Sequence, residues 1–154
     1  MYYSGKQDAH EGVGFLVHKA ISNSVLGCRP VSSRIITIRF KASPFNISIL
    51  QAYAPTTNHS DDEAEDFYNQ LQGVIDEVPK GDILIVQGDW NAKVGEDAQT
   101  HWPGTSGPSC NPRTNERGLR LLEFATTNNL VLANTLGNHK PSRRWTWHTP
   151  NGRH

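Results

Sequence analysis

Hydrophobic and polar positions along the chain alternate in two different rhythms, and the rhythms divide it into strands and helices. Residues 12–17 (Gly-Val-Gly-Phe-Leu-Val) read as a short strand entered through glycines, and residues 34–40 (Arg-Ile-Ile-Thr-Ile-Arg-Phe) form a β-branched run of strand length. Residues 45–53 alternate apolar and polar over most of their length, and the short link at 41–44 predicts a hairpin with the preceding strand. Pro55 ends that third strand, because proline lacks a ladder donor and pushes its predecessor toward extended geometry. A helical rhythm follows. Ser60 with Glu63 three residues on is a capping box, acids crowd the first turn, and Phe67, Leu71, Val74, Ile75 and Val78 fall on one face before Pro79. The unbroken apolar run Ile83-Leu84-Ile85-Val86 predicts a strand buried on both faces. Residues 92–114 are rich in Gly, Pro, Ser, Thr and Asn and read as a long polar loop. A second helix is predicted from an Asn115 cap through Leu119, Leu122, Phe124 and Ala125 to Asn128-Asn129, with strands after it at 130–133 and 144–147.

Length and composition set outer limits. At 154 residues, 36% hydrophobic and 19% charged, the chain suits one globular domain spanning 1–154. No apolar stretch approaches the roughly 20 residues of a membrane span, and no secretory signal is visible at the N-terminus, so the expectation is an intracellular chain off the membrane. Cys28 and Cys110 make neither a metal spacing nor a disulfide framework, and the seven histidines include no pair at metal spacing. Net charge is zero but uneven: eight acids fall between residues 61 and 82, whereas seven basic residues face two acids between 113 and 153. A polyanion would therefore meet the C-terminal third.

The chemistry concentrates at strand ends. Residues 88–91 (Gly-Asp-Trp-Asn) close the Ile83 strand, and a two-residue period puts Asp89 and Asn91 on one side, a carboxylate beside a carboxamide. That pair suits phosphodiester hydrolysis: the carboxylate accepts a proton from water or holds a hard cation, and the amide orients water or bonds a phosphate oxygen. A plain turn is the competing reading, since Gly, Asp and Asn all terminate strands. The third strand likewise ends in Gln-Ala-Tyr-Ala-Pro-Thr at 51–56, placing the Tyr53 phenol and Thr56 hydroxyl where a phosphate could bind.

In their order along the chain, residues 12–17, 51–56, 85–92 (Ile-Val-Gln-Gly-Asp-Trp-Asn-Ala), 115–118 (Asn-Glu-Arg-Gly), Leu121, Phe124, Asn129-Leu130 and 145–153 resemble the endonuclease/exonuclease/phosphatase superfamily, the deoxyribonuclease I-like fold. The resemblance is strongest to LINE-type non-LTR retrotransposon endonuclease domains, including craniofacial development protein 2-like sequences. It implies an α/β fold of two packed, mostly antiparallel β-sheets flanked by helices, and cleavage of DNA phosphodiesters with Mg2+ or Mn2+. Residue by residue it makes Tyr53 the contact to the scissile phosphate, Asp89 the water-activating and metal-binding carboxylate and Asn91 the amide beside it. Thr56 falls near the phosphate, and Thr146 and Trp147 on the strand before the family's terminal Asp-His pair; Arg117, Arg143 and Arg144, from the basic C-terminal third, are the candidate nucleic-acid contacts. The family's N-terminal metal-binding Glu and its Asp-His pair have no counterpart here; Glu11 and His154 do not match them. The expectation is thus a domain incomplete at both ends, with weak metal binding and impaired turnover, acting on DNA in the nucleus without an obligate protein partner. A phosphatase of the same superfamily and a non-catalytic nucleic-acid-binding remnant are the alternatives.

Overall fold

The computed structural model describes residues 1–5, 12–108 and 111–137, which fall into two compact units, Met1–Asn91 and Ala92–His154. In the first unit β1 (Tyr2–Ser4) and β2 (Val13–Phe15) form an antiparallel two-stranded sheet. A 3-10 turn at Lys19–Ser24 leads to β3 (Val25–Ser32), β4 (Ile35–Phe40) and β5 (Ile47–Tyr53), and α1 (Asp61–Asp76) precedes β6 (Ile83–Asp89). These make a four-stranded sheet in the order β3-β4-β5-β6, antiparallel except for the β5–β6 pair, which is parallel. The small sheet lies against β3, β4 and β5. The chain is therefore mixed α/β with mostly antiparallel sheets, as expected, and α1 is the crossover that two adjacent parallel strands require.

The core of this unit is made by alternation. Leu50 and Ala52 of β5 and Ile35, Ile36 and Ile38 of β4 are almost wholly buried, together with Ala64, Phe67 and Leu71 of α1. The capping box exists as read: the Ser60 hydroxyl accepts from the Glu63 N–H at 3.2 Å, and the Ser60 N–H donates to the Glu63 carboxylate at 2.9 Å. At the C-terminal end of α1, Arg29 of β3 pairs with Glu77.

An ion pair ties β4 and β5 to the start of β6, at the end of the sheet away from Tyr53 and Asp89. The Asp82 carboxylate, 3% exposed, receives Arg39 Nε at 2.7 Å, Arg39 Nη2 at 2.9 Å and the Ser48 hydroxyl at 2.7 Å. Hydrogen bonds from Arg39, then from Ser48, hold its pKa below the ordinary carboxylate value of 3.8. Because the folded value is the lower one, the stabilisation is complete above the unfolded value and disappears as pH falls through the folded one. Asp82→Asn should therefore lower the unfolding midpoint by a constant amount at neutral pH, and the gap to wild type should close below about pH 4. A gap independent of pH from 7 to 3 would contradict this account.

Two expectations about elements change, and a third falls outside the described residues. The apolar run at 83–86 is not covered on both faces: β6 is the last strand in the sheet order among the described residues, and Ile83 and Ile85 stand 49% and 41% exposed. The segment at 130–133 is no strand. Asn129 adopts φ 53°, Leu130 N–H donates back to Ala125 O, Leu132 N–H donates to Thr105 O, and a 3-10 turn follows at Ala133–Thr135. The expected strand at 144–147 lies outside the described residues.

The second unit is more ordered than its composition suggests. Within 92–114 lies a short helix α2 (Ala98–His101), and Val94, Ala98, Thr105 and Ser106 are buried. Helix α3 (Glu116–Thr127) is capped by Asn115, whose side chain accepts from Gly118 N–H at 2.8 Å and from Lys93 N–H at 3.0 Å. Gly118, Leu121, Leu122 and Ala125 are its buried residues, whereas Leu119, expected inside, is 45% exposed. A Cβ at Gly118 would lie 1.9 Å from Lys93 O, so the helix approaches that backbone as only glycine permits.

Candidate active site

The polar ends of β5 and β6 meet. In the parallel register Tyr53 is the partner of Asp89, as Gln51 is of Gln87 and Ile49 of Ile85. Register partners on neighbouring strands point to the same side and stand about 4.8 Å apart, so the phenol and the carboxylate share one face at the carboxyl ends of both strands. Two residues back on that face, Gln87 Nε2 donates to Gln51 Oε1 at 3.0 Å. Ala54 N–H donates to Asp89 O at 2.8 Å, continuing the ladder past the strand end.

Two backbone features set this approach. Gly88 has φ 149°, and a Cβ there would sit 1.8 Å from Ala52 O. The next strand position, Asp89, is where β6 ends. Asn91 then enters the left-handed region at φ 46°, which Asn tolerates better than most residues. Asp89 and Asn91 are therefore not brought together by strand alternation, as the sequence suggested. The Asp89 carboxylate accepts the Asn91 N–H at 3.0 Å, and the Asn91 side chain donates from Nδ2 to Ala54 O at 2.8 Å. The turn reading holds: an Asx-type turn is the device that places the Asn91 amide beside Asp89.

Beside Tyr53 stands a group the sequence did not single out. Arg34, just before β4, accepts the Tyr53 N–H on its carbonyl at 2.9 Å, so Arg34, Tyr53 and Asp89 form a row across three strands. The guanidinium lies over the Tyr53 ring, 5.2 Å from its centroid, within cation–π range. Its Nη1 donates to Tyr53 O at 3.3 Å and its Nη2 is 3.0 Å from His59 Nε2. His59 Nδ1 in turn lies 2.8 Å from Thr56 Oγ1. Neither Arg34 nor His59 was legible as a site residue, because one sat inside a strand-forming run and the other belonged to a set of histidines without metal spacing. The signal was present only in combination, as polar residues flanking strand ends whose pairing was not yet known.

Thr56, Tyr53, Asp89 and Asn91 thus gather in the first unit. Arg117 is half-buried in α3 of the second unit. Arg143, Arg144, Thr146 and Trp147 lie outside the described residues. Among the described residues no three His, Cys, Asp or Glu side chains cluster as a metal site, and no helix is long and apolar enough to cross a membrane. Asp89 is the one carboxylate in the row of Arg34, Tyr53 and Asp89, and magnesium is held by one or two carboxylates plus substrate phosphates, so the described residues offer a thin donor set for it.

No family model matches the chain. It is 40% identical over 155 residues to craniofacial development protein 2 of Bos taurus, an alignment that covers 100% of this chain and 26% of that protein. It is 40% identical over 154 residues to craniofacial development protein 2 of Tragulus javanicus, covering 99% and 26% respectively. The chain thus spans 26% of the length of these curated relatives. Among solved structures it is similar to the endonuclease domain of TRAS1, a telomere-specific non-LTR retrotransposon, with a TM-score of 0.43 and 20% identity over 63% of this chain and 37% of that one. By sequence, then, the chain is a homologue of a segment of craniofacial development protein 2.

Proposed function

We propose that this chain recognises and hydrolyses phosphodiester bonds of DNA, as a retrotransposon-type endonuclease segment. The observation that supports this best is the pairing of Tyr53 with Asp89 at the carboxyl ends of adjacent parallel strands. The phenol donates to a phosphate oxygen, and the carboxylate, exposed beside it, accepts the proton of an attacking water. The bond from Asn91 Nδ2 to Ala54 O fixes the amide against the strand end, where its carbonyl orients that water. The Thr56 hydroxyl gives a second donor to the phosphate. Arg117, Arg143 and Arg144 are the proposed backbone contacts, neutralising phosphates without reading sequence.

Magnesium or manganese would supply Lewis-acid stabilisation of the phosphate. Since Asp89 is the one carboxylate in the row, such an ion would share it with the substrate's own phosphate oxygens, and binding would be weak. That same thin donor set favours a second reading, binding of nucleic acid without cleavage.

Supercoiled plasmid separates the two. Purified chain with magnesium should convert it to the nicked form, slowly compared with a site holding several carboxylates. Retention of plasmid in a gel-shift experiment with no conversion would establish the binding reading in place of the hydrolytic one.

A further inference from the structure

The hydrogen-bond chain running from Arg34 through His59 to Thr56 sets the direction of the Thr56 hydroxyl. Both nitrogens of His59 face donors: Arg34 Nη2 at 3.0 Å from Nε2, and the Thr56 N–H at 3.2 Å from Nδ1. A neutral imidazole has one acceptor nitrogen, and a guanidinium only donates. The charge-assisted bond is roughly twice as strong as a neutral one, which favours Nε2 as the acceptor and Nδ1 as the proton carrier over the bond from the Thr56 N–H to Nδ1. Nδ1–H then donates to Thr56 Oγ1 at 2.8 Å, and Asn58 N–H approaches the same oxygen at 3.4 Å. With both acceptor positions of the hydroxyl occupied, its own proton must be donated outward.

We propose that Arg34 and His59 are positioning residues: Arg34 holds the Tyr53 ring from above, and through His59 it makes Thr56 an obligate donor to an anionic phosphate oxygen. This rests on the phosphodiester reading of the site but concerns residues which that reading does not use. The three side chains are partly buried, so the chain of bonds is shielded without being sealed, as a group awaiting substrate must be.

The test has one arm that needs no activity. In the 154-residue protein labelled with 15N-histidine, nitrogen shifts should show His59 as the Nδ1–H tautomer, and Arg34→Gln should abolish that preference. Arg34→Lys, which still presents a cationic donor to Nε2, should restore it in part. In the activity arm, Arg34→Gln and Thr56→Val should each slow plasmid nicking by about tenfold to a hundredfold, the range that misplacement of a reacting group produces. Their double variant should be no slower than Arg34→Gln alone, since the Thr56 donor is one of the two groups that Arg34 positions. An Nε2–H tautomer in the wild type, or additive losses in the double variant, would overturn the proposal. A wild type that neither binds nor nicks DNA, yet keeps an Nδ1–H tautomer sensitive to Arg34→Gln, would uphold the bracket and remove the phosphodiester reading alone.

Discussion

Replacing Gly88 by alanine should strongly destabilise the first unit. The new methyl would lie 1.8 Å from Ala52 O, 2.7 Å from its carbonyl carbon and 2.9 Å from its nitrogen, at a residue whose φ of 149° already disfavours a side chain. Ala52 cannot retreat, because it is 1% exposed in β5, with β4 on one side and β6 on the other. Conformational strain of about 1–3 kcal/mol adds to an overpacking cost of about 1–3 kcal/mol, so the loss should reach about 2–6 kcal/mol. Against a total of about 5–15 kcal/mol for an ordinary domain, that removes much of the margin. Urea denaturation with an unchanged slope would report it directly. A loss under about 1 kcal/mol would mean that β6 slides away at little cost, and the Tyr53–Asp89 pairing next in register would then be loose as well.

Much of this arrangement was readable from the chain. The alternation at 45–53 and the capping box at Ser60 were local patterns, and the structure contains both. The apolar run at 83–86 misled because hydrophobicity reports preference, not coverage: β6 has a strand partner on one side only among the described residues, and its isoleucines reach solvent. β3 escaped notice since Gly27, Cys28, Arg29 and Pro30 interrupt any strand rhythm. Among the described residues it is an outer strand whose register shifts twice, where such residues cost least. In the second unit, polar composition suggested an open loop, yet its polar groups bond one another: Gly107 N–H to Thr135 Oγ1 at 2.7 Å, Thr105 to Thr126 at 2.9 Å. Composition shows that such groups exist; only long-range pairing shows which of them are satisfied, and among the described residues the buried Asn111 Oδ1 is not. The site divides in the same way. Tyr53, Asp89 and Asn91 lay in short readable strings, whereas Arg34 joins them through strand pairing over a separation that no local pattern crosses.

Asp89→Asn should do the reverse of Gly88→Ala, leaving the fold intact and removing the chemistry. Asp89 is exposed, and its structural duty is to accept the Asn91 N–H through one oxygen at 3.0 Å. Asparagine keeps a carbonyl of the same shape for that bond, and exposed substitutions of this kind usually change stability by about 0.5 kcal/mol or less. The amide cannot take a proton from water at neutral pH, nor can it offer a full negative charge to a cation. Loss of a general base costs about 100- to 10,000-fold in rate, so the variant should melt with wild type while nicking falls by that factor. Tyr53→Phe, which deletes one phosphate donor and keeps the ring under Arg34, should lose less than Asp89→Asn. Activity of Asp89→Asn above about a tenth of wild type would exclude Asp89 as the base. Equal nicking by wild type and Asp89→Asn would place the cleavage outside this site altogether. Two neighbouring residues therefore report separately on one strand end: Gly88 on whether β5 and β6 can approach, Asp89 on what their approach is for.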